Sequence, residues 1–436
     1  MRAQGEGQSE RTNMHREQTE VLVVGAGPVG LLTAVMLTEA GIETRIIDSE
    51  SRTTTRSYAC ALHPQTLELL DALGVLPGIL QAGKKVQTVA FYDGPERKAE
   101  LDLKALDSRY PFLLILPQGD FEKALEKRLR DKGGVTVDWN HRFEDVQPEQ
   151  EGVRASVEQL GGTSTGYIVP HWETVVQKRF EIQARFVVGA DGYNSVVRHR
   201  MGAEMKKVSG PEFFAAYEFE SDAPSGDEAR VVLDDRTTNV LWPMQGNKLR
   251  WTFQLIQEEQ KERPAEFPEK ERSAIQVVSQ TVDEEIRQYV QRVAAHRAPW
   301  SKVSVSKVTW CTDVMFEQRV ATSFGSGACW LAGDAAHQTG PVGAQSMNVG
   351  MLEAQALAGY LKKELRQPGG RSGLEHYNSE RQAEWSALLG LNGGLKPKDK
   401  TSDWVRRRLP RILSCIPSSG QALKVLAGQL QVDFTG

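Results

Sequence analysis

The stretch EVLVVGAGPVGLLTAVMLTEAGIETRIIDSE, residues 20–50 of this 436-residue chain, contains the pattern that decides the fold. Val21 to Val24 form a short apolar run, which is typical of a buried parallel strand. The glycine pattern G-x-G-x-x-G follows at 25–30, and an amphipathic helical run comes after it. A second apolar run then ends in Asp48. The stretch therefore predicts a strand–helix–strand unit with a glycine-rich first turn.

The glycines of this unit predict a dinucleotide site. Gly25 permits the tight turn, Gly27 lets a pyrophosphate approach the backbone, and Gly30 lets the helix pack close to the strand. The helix that follows, predicted to run to Ala40, offers unpaired N–H groups and a positive dipole end to phosphates at its N-terminus. Asp48 stands where a carboxylate would bind the ribose hydroxyls. NAD(P) and FAD share this fingerprint, so the first motif leaves the choice between them open.

Two later stretches repeat the strand-and-turn arrangement. FVVGADGYNSVVR, residues 186–198, is an apolar strand followed by a sharp turn at Asp191. CWLAGDAAHQTGPVGAQSMNVG, residues 329–350, is a strand followed by Gly333 and Asp334 and then a Pro-Gly turn. Because parallel strands end on the same edge of a sheet, we expect one long ligand to contact all three turns.

Together the three motifs resemble the single-component FAD-dependent aromatic hydroxylases, the flavoprotein monooxygenases similar to para-hydroxybenzoate hydroxylase. The resemblance covers about residues 20–395 and implies an α/β fold. In that fold a Rossmann-like FAD-binding domain is interwoven with an antiparallel-sheet substrate domain, and here a C-terminal helical extension follows. The resemblance also implies FAD as cofactor, NAD(P)H as reductant and O₂ as co-substrate.

The resemblance assigns cofactor contacts residue by residue. Asp334 would bind the ribityl chain, and the Pro341–Gly343 turn would lie beside the isoalloxazine ring. Asp191 and Arg198 would lie near the pyrophosphate and relate to NAD(P)H use. The full predicted cofactor set is Gly25, Gly27, Pro28, Gly30, Asp48, Arg56, Gln118, Asp191, Gly333, Asp334, Pro341, Gly343, Ala344, Met347 and Asn348. Arg56 is a looser match, because the family more often places its arginine where this chain has Tyr58.

The implied reaction is hydroxylation of an aromatic or polyketide-like substrate through a flavin C4a-hydroperoxide. The cofactor does this chemistry, while the protein orients the reactants and excludes water. A helix N-terminus after Gly343 would stabilise negative charge on the reduced flavin. No metal and no protein nucleophile is expected. His63 and His337 are interpreted as structural, with a catalytic His337 as the alternative.

The late motif departs from the family at Ser346, where glycine is more usual. A serine would be strained if the backbone there needed a positive φ. We expect instead that Ser346 starts the helix with ordinary φ and that its hydroxyl caps the helix.

Residues 76–105 and 205–310 lie outside the nucleotide-binding pattern and are predicted to form the substrate domain. Alternating runs there predict antiparallel strands, with a hairpin turn at 245–247. Tyr217, Trp242, Met244 and Trp251 are candidates for lining the substrate, with plain core packing as the alternative. The pocket is expected to be aromatic and apolar with few fixed charges.

The remaining segments complete the predicted domain organisation. Residues 1–18 are expected to be a disordered tail, because they cannot bury enough apolar surface to offset their ordering entropy. The FAD-binding domain is expected to be discontinuous, comprising 19–75, 106–204 and 311–395. Residues 396–436 begin with a Lys-Pro-Lys linker and continue as a basic amphipathic segment broken by Pro410. Docking of that segment on the FAD domain is favoured over a membrane-surface role.

Composition narrows the class of protein. A formal net charge of −4 argues against a nucleic-acid partner, which would need a basic excess. No window of about 18 apolar residues predicts a membrane span. Four widely spaced cysteines indicate no disulfide framework or metal site and favour the cytoplasm. We expect a monomer or homodimer that acts on a small aromatic molecule. A flavin halogenase, which would normally carry W-x-W-x-I-P, a dehydrogenase and a non-catalytic FAD-binding protein remain alternatives.

Overall fold

The computed structural model of this protein describes residues 16–53, 59–165, 171–222, 226–257, 259–261, 276–299, 303–367 and 372–435. The described helices are α1 (Pro28–Glu39), α2 (Pro64–Ala72), α3 (Leu76–Leu80), α4 (Gln118–Arg128), α5 (Val196–Arg200), α6 (Gln276–Arg297), α7 (Gln345–Arg366), α8 (Ser372–Leu388), α9 (Asp403–Leu413) and α10 (Gly420–Gln429).

The strands of the first half of the chain are β1 (Arg16–Val24), β2 (Thr44–Ile47), β3 (Ala61–Leu62), β4 (Lys84–Val86), β5 (Thr88–Asp93), β6 (Glu96–Asp102), β7 (Leu113–Ile115), β8 (His141–Glu149), β9 (Gly152–Thr165), β10 (His171–Gly189), β11 (Met205–Lys207) and β12 (Glu212–Ser221). Those of the second half are β13 (Glu228–Leu233), β14 (Thr238–Pro243), β15 (Lys248–Leu255), β16 (Val305–Phe316), β17 (Arg319–Ala321), β18 (Gly325–Ser326), β19 (Cys329–Leu331), β20 (His337–Gln338), β21 (Gly394–Pro397) and β22 (Val432–Thr435).

The first large sheet has the order β18-β19-β10-β1-β2, and β8 and β9 extend it beside β10. Strands β19, β10, β1 and β2 are mutually parallel. Their last residues form one row across the sheet: Leu331, Gly189, Val24 and Ile47 are successive register partners. The three predicted turns therefore leave the same sheet edge side by side, and the predicted Rossmann-like architecture is confirmed.

Strand β1 is longer than the apolar run Val21–Val24 alone predicts. It begins at Arg16 and pairs with β10 from Glu181 onward. The expected disordered tail thus ends at least three residues earlier than the predicted boundary at 18. Its first 15 residues lie outside the described part of the chain.

The second large sheet has the order β16-β12-β15-β14-β13-β5-β6. All its neighbours are antiparallel except β13 and β5. The predicted hairpin at 245–247 joins β14 and β15, where Met244 N–H donates to the Lys248 carbonyl at 3.0 Å. Strand β16 belongs to this sheet along its whole length. The sheet therefore continues past residue 310, where the sequence placed the return to the FAD-binding domain.

The two faces of this sheet pack against different parts of the molecule. Tyr217 and Trp251 lie with Tyr289 of α6 in a separate small core. Trp242 and Met244 lie in the large core that contains the parallel sheet. Alternation along the strands therefore separates a face covered by α6 from a face turned toward the cofactor half of the molecule.

The C-terminal residues form two helices and a two-stranded sheet. Helix α9 continues through Pro410 to Leu413, so the segment is not broken at the proline. The predicted Lys-Pro-Lys linker is part of β21, which pairs with β22. Helix α9 docks through Arg408 and Trp404, whose side chains both donate to Asp93 Oδ2, at 3.0 Å and 2.9 Å. No helix in the described ranges is long and apolar enough to cross a membrane.

Candidate functional site

Two glycines of the loop between β1 and α1 have no room for a side chain, because backbone atoms lie too close to their Cβ positions. A Cβ on Gly25 would lie 2.3 Å from the Ala190 carbonyl oxygen, and the residue has a φ of +102°. A Cβ on Gly30 would lie 1.9 Å from the Gly25 carbonyl oxygen. Gly27 differs, since nothing lies within 4 Å of its Cβ position and its φ is −72°. The fold therefore requires glycine at 25 and 30, whereas Gly27 borders open space at the N-terminus of α1.

Asp48 is fixed beside this loop by backbone donors. Its Oδ2 accepts a hydrogen bond from Ala26 N–H at 2.6 Å, and its Oδ1 accepts one from Glu50 N–H at 2.8 Å. The carboxylate is partly exposed. It thus stands at the end of β2 where the sequence placed a ribose contact.

Asp191 caps the short helix after the second turn. Its carboxylate accepts from Ser195 Oγ at 2.5 Å and from Val196 N–H at 2.7 Å. Burial raises the pKa of this carboxyl group. The buried Arg198 donates to the carbonyl oxygen of Ala335 at 2.8 Å. The second motif therefore positions the backbone of the third through Arg198.

The third motif begins with a close crossing of α1 and α7. A Cβ on Gly350 would lie 2.9 Å from Gly333 Cα, and a Cβ on Gly333 would lie 2.9 Å from the Val29 side chain. Asp334 follows in a 3₁₀ turn, and its carboxylate accepts no hydrogen bond from any residue that the structure describes. Burial raises the pKa of Asp334. This carboxylate is therefore available to accept a hydrogen bond from a ligand.

These features fit a dinucleotide cofactor. Three features lie along one sheet edge: an open backbone position at Gly27, a helix N-terminus, and the Asp334 carboxylate, which has no donor among the described residues. A bound FAD would place its pyrophosphate against the first feature and its ribityl chain against the last.

His337 belongs to a buried network beneath this turn. Its Nε2 lies 2.8 Å from Glu353 Oε2, which also accepts from Gly333 N–H at 2.9 Å. Its ring stacks on Trp385 with centroids 3.7 Å apart. The Trp385 indole N–H donates to Glu353 Oε1 at 2.6 Å. This burial supports the structural interpretation of His337.

The Pro341–Ala344 loop is held by the residues around His63. Asn348 Oδ1 accepts from His63 N–H and from Thr66 Oγ1, both at 2.8 Å, and Nδ2 donates to the carbonyls of Ala61 and Ala344. His63 Nε2 lies 2.9 Å from the Gly343 carbonyl, and burial lowers the pKa of His63 to about 4. The hydrogen-bonding groups of the Asn348 side chain are therefore all used by protein partners, and the side chain positions the loop.

The positive φ in the late motif lies two residues before the predicted site of strain. Ala344, the residue before α7, has a φ of +51°, whereas Ser346 is helical with no positive φ. The expected ordinary backbone at Ser346 is thus correct, but the expected capping role is wrong. Its Oγ accepts a hydrogen bond from Thr339 N–H at 3.0 Å and ties the loop to the helix.

Gln118, another predicted cofactor residue, stands apart from these loops. Gln118 lies at the start of α4, where its Oε1 accepts from Ala59 N–H at 3.1 Å and its Nε2 donates to Glu122 at 2.8 Å. Arg56 lies outside the described residues. Met347 is partly exposed in the first turn of α7.

A cavity of about 370 Å³ adjoins the Pro341 loop. The second large sheet, the loop, α8 and α9 all contribute to its walls, which include Glu212, Phe214, Thr238, Gln318, Thr339, Pro341, Val342, Leu389, Leu409, Arg411 and Ser414. None of the four predicted substrate residues lines it. Tyr217 and Trp251 point to the α6 face, where Tyr217 stacks on Phe253 with centroids 5.5 Å apart. Trp242 and Met244 pack within the large core.

The sequence missed the polar part of this cavity. Glu212 and Phe214 are on the same face of β12, opposite Tyr217. The alternation thus identified two faces but did not indicate which of them lines the cavity. Arg411 comes from the C-terminal helix, and no local signal connects it with a strand 199 positions earlier. The expectation of few fixed charges fits this cavity, whose charged lining residues are Glu212 and Arg411, whereas the expectation of an aromatic lining does not, since Phe214 is the one aromatic residue among its lining residues.

Comparison with known proteins agrees with this geometry. A family model described as "FAD binding domain" matches residues 18–390. The chain belongs to this FAD-binding family. Its cofactor is FAD, and the predicted membership among the flavoprotein hydroxylases is confirmed.

Individual relatives show the same relationship. The chain is 29% identical over 376 residues to 6-methylpretetramide 4-monooxygenase of Streptomyces rimosus, covering 85% of this chain and 60% of that protein. It is 28% identical over 370 residues to para-nitrophenol 4-monooxygenase of Pseudomonas sp. strain WBC-3, covering 83% and 82%. The crystal structure of p-nitrophenol 4-monooxygenase from Pseudomonas putida DLL-E4 superposes with a TM-score of 0.71 at 24% identity, covering 95% and 97%. This last likeness supports the fold.

Proposed function

We propose that this protein is an FAD-dependent, NAD(P)H-consuming monooxygenase that hydroxylates an aromatic or polyketide-like substrate. One observation carries the proposal: the cavity opens directly on the Pro341 loop, which follows the Asp334 turn of the FAD site. A substrate there would lie beside the cofactor and be enclosed by the antiparallel sheet. The relatives named above, a pretetramide and a nitrophenol monooxygenase, support the same substrate range.

The chain's own residues would bind and orient the reactants. The Gly25–Gly30 loop and the N-terminus of α1 would hold the pyrophosphate, Asp48 the ribose and Asp334 the ribityl chain. FAD bound there would supply the redox chemistry, taking a hydride from NAD(P)H and activating O₂ so that one oxygen atom is transferred to carbon and the other leaves as water. The N-terminus of α7 would stabilise negative charge on the reduced ring. Phe214, Leu389 and Leu409 would keep water from the reacting carbon.

The test is oxygen transfer itself. FAD-loaded protein is supplied with NADH or NADPH, ¹⁸O₂ and a panel of phenols and fused-ring polyketides. We expect at least one compound to stimulate NAD(P)H oxidation and to gain one ¹⁸O atom by mass spectrometry. Hydrogen peroxide as the sole product with every compound would contradict the proposal. Halogenated product in the presence of chloride or bromide would instead support the halogenase alternative.

We also propose a cytoplasmic location and a monomer or homodimer. Cys60, Cys311, Cys329 and Cys415 are all described and none forms a disulfide, which supports a reducing compartment. Light scattering after gel filtration distinguishes the two oligomeric states.

A further inference from the structure

Helix α9 and the residues after it are joined directly to the loop that borders the cofactor. Gly343 N–H donates to the Ser414 carbonyl at 3.0 Å, and a Cβ on Gly343 would lie 2.5 Å from that oxygen. Gln345 Nε2 donates to the carbonyls of Leu413 and Ile416, each at 3.0 Å. Glycine at 343 is therefore required by the C-terminal segment. This segment forms a fixed wall of the cavity.

Two arginines one turn apart on α9 have contrasting partners. Arg408 is ion-paired with Asp93 at 3.0 Å and also with Asp235. Arg411 has no carboxylate within ion-pair distance among the described residues. It donates instead to neutral oxygens, from Nη1 to the Asp234 carbonyl at 2.7 Å and from Nη2 to Thr238 Oγ1 at 3.0 Å. Arg408 thus serves docking, whereas Arg411 forms no ion pair with a described residue and interacts with the carboxylates of Asp234 and Glu212 only at longer range.

The Arg411 guanidinium retains hydrogen-bonding capacity toward the cavity. An arginine side chain has five N–H donors, and Nε also donates to Thr238 Oγ1, at 3.1 Å. Three donors are therefore used and two are left. Glu212 lines the same cavity but forms no ion pair with Arg411, and its recorded hydrogen bond comes from Gln254 Nε2 at 2.9 Å. Burial lowers the pKa of Arg411 and raises that of Glu212, as expected for charges that lack direct compensation.

We propose that Arg411 is a specificity-determining residue that binds an anionic oxygen of the substrate, a phenolate or a carboxylate, within this cavity. Two remaining N–H groups in a fork match such an oxygen group, and partial burial strengthens the attraction relative to water. The inference rests on the proposed function in that the ligand is the substrate. Its binding test does not depend on turnover.

Binding is measured by the change in FAD absorbance when FAD-loaded protein is titrated with three probes of one ring type. These are 4-nitrophenol above its own pKa, 4-nitrobenzoate, and the neutral 4-nitroanisole. We expect the wild type to bind at least one anion more tightly than the neutral probe. The better anion identifies phenolate or carboxylate as the preferred group. Arg411→Gln should lower the affinity for that anion by about 10- to 100-fold, the effect of losing a hydrogen bond to a charged group. It should leave the affinity for the neutral probe unchanged.

The matched control is Arg407→Gln, which removes an exposed cation from the same helix and should leave all affinities unchanged. If Arg411→Gln does not fold with FAD, Arg411→Lys decides, because it keeps the charge but loses the fork. Arg411→Lys should lower the affinity for the anion by a few-fold and leave the affinity for the neutral probe unchanged. No preference for anions in the wild type, or a preference that survives in the Arg411 variant, would overturn the inference. Failure of ¹⁸O transfer with anion selectivity intact would count against the proposed function alone.

Discussion

The cofactor edge and the adjoining cavity are built by different means. The edge consists of three turns at which close packing restricts the residue type. A Cβ added at Gly25 or Gly30 in the first turn, or at Gly333 in the third, would lie within 3 Å of a neighbouring atom. The cavity consists of side chains from one face of an antiparallel sheet and from a distant helix. A binding surface made of backbone requires a short, continuous sequence motif that can be recognised, whereas a surface made of side chains from remote segments requires no such motif.

The contrast also concerns how each region tolerates change. Substitutions at Gly25, Gly30 and Gly333 act on a close approach that has no room to relax, so fold and cofactor binding are affected together, whereas Gly27 borders open space. Substitutions in the antiparallel sheet should instead affect either stability or substrate binding, depending on which face of the sheet carries the side chain.

Replacement of Trp251 tests the assignment of the sheet faces. Trp251 is fully buried on the α6 face, so Trp251→Ala should lower the free energy of unfolding by about 3–5 kcal/mol. Urea denaturation followed by circular dichroism measures this loss. At equal FAD occupancy, the affinity for the nitro-aromatic probes should not change. Phe214→Leu, on the opposite face, is the control that should alter probe affinity at a stability cost of about 1 kcal/mol. If probe affinity changed in Trp251→Ala but not in Phe214→Leu, the assignment of the substrate site to the Phe214 face would be wrong.

Two alanine substitutions in one loop separate folding from cofactor binding. Gly25→Ala should lower the free energy of unfolding by about 2–4 kcal/mol, because its Cβ meets the Ala190 carbonyl and its φ is positive. Gly27→Ala should leave apoprotein stability within about 0.5 kcal/mol. It should nevertheless weaken FAD about tenfold or more, since the added methyl occupies the space predicted for the pyrophosphate. FAD fluorescence titration and thermal melting of the apoprotein measure the two effects. Equal FAD affinity in wild type and Gly27→Ala would contradict the pyrophosphate assignment.

Much of the edge was predictable because each of its motifs is continuous. Gly25 to Asp48 predicted a strand, helix and strand that the structure shows, and register then brought the Asp191 and Asp334 turns to the same side. What each side chain does was less predictable. Asp191 and Asn348 are saturated by protein donors and acceptors, which depend on neighbours far away in sequence. The face of β12 that lines the cavity was also unpredictable, because Tyr217 and Phe214 are both aromatic and the position of α6 determines which face is covered.

Asp334 tests whether the edge binds its ligand through a side chain as well as through backbone. Asp334→Ala should weaken FAD by roughly 1.5–3 kcal/mol, the effect of a hydrogen bond to a charged acceptor. Asp399→Ala, which removes an exposed carboxylate far from the edge, is the control and should have no effect. Unchanged FAD affinity in Asp334→Ala would show that the ribityl assignment is wrong.

The same residue predicts a pH dependence of apoprotein stability. Because burial raises its pKa, folded Asp334 holds a proton over a pH range in which the unfolded chain has lost it. Its contribution therefore makes stability fall as pH rises from the ordinary carboxyl pKa through the raised one. Asp334→Asn should remove this decline, so the variant should gain stability relative to wild type as pH increases. Denaturation curves from pH 4 upward measure the difference, and a gain that instead grows toward low pH would contradict the direction of the shift.

Ser346 provides the smallest effect and the sharpest distinction between backbone and side chain. Ser346→Ala removes the acceptor for Thr339 N–H and should lower the free energy of unfolding by about 1 kcal/mol. Ser49→Ala, an exposed serine, should change nothing. Because Ser346 is helical with no positive φ, Ser346→Gly should be less stable than Ser346→Ala by a further 0.5 kcal/mol or roughly that amount. The opposite order would show that this position needs the conformational freedom of glycine. In that case the late motif would be a backbone-determined turn like the Gly25 loop, and the hydroxyl contact to Thr339 would be incidental.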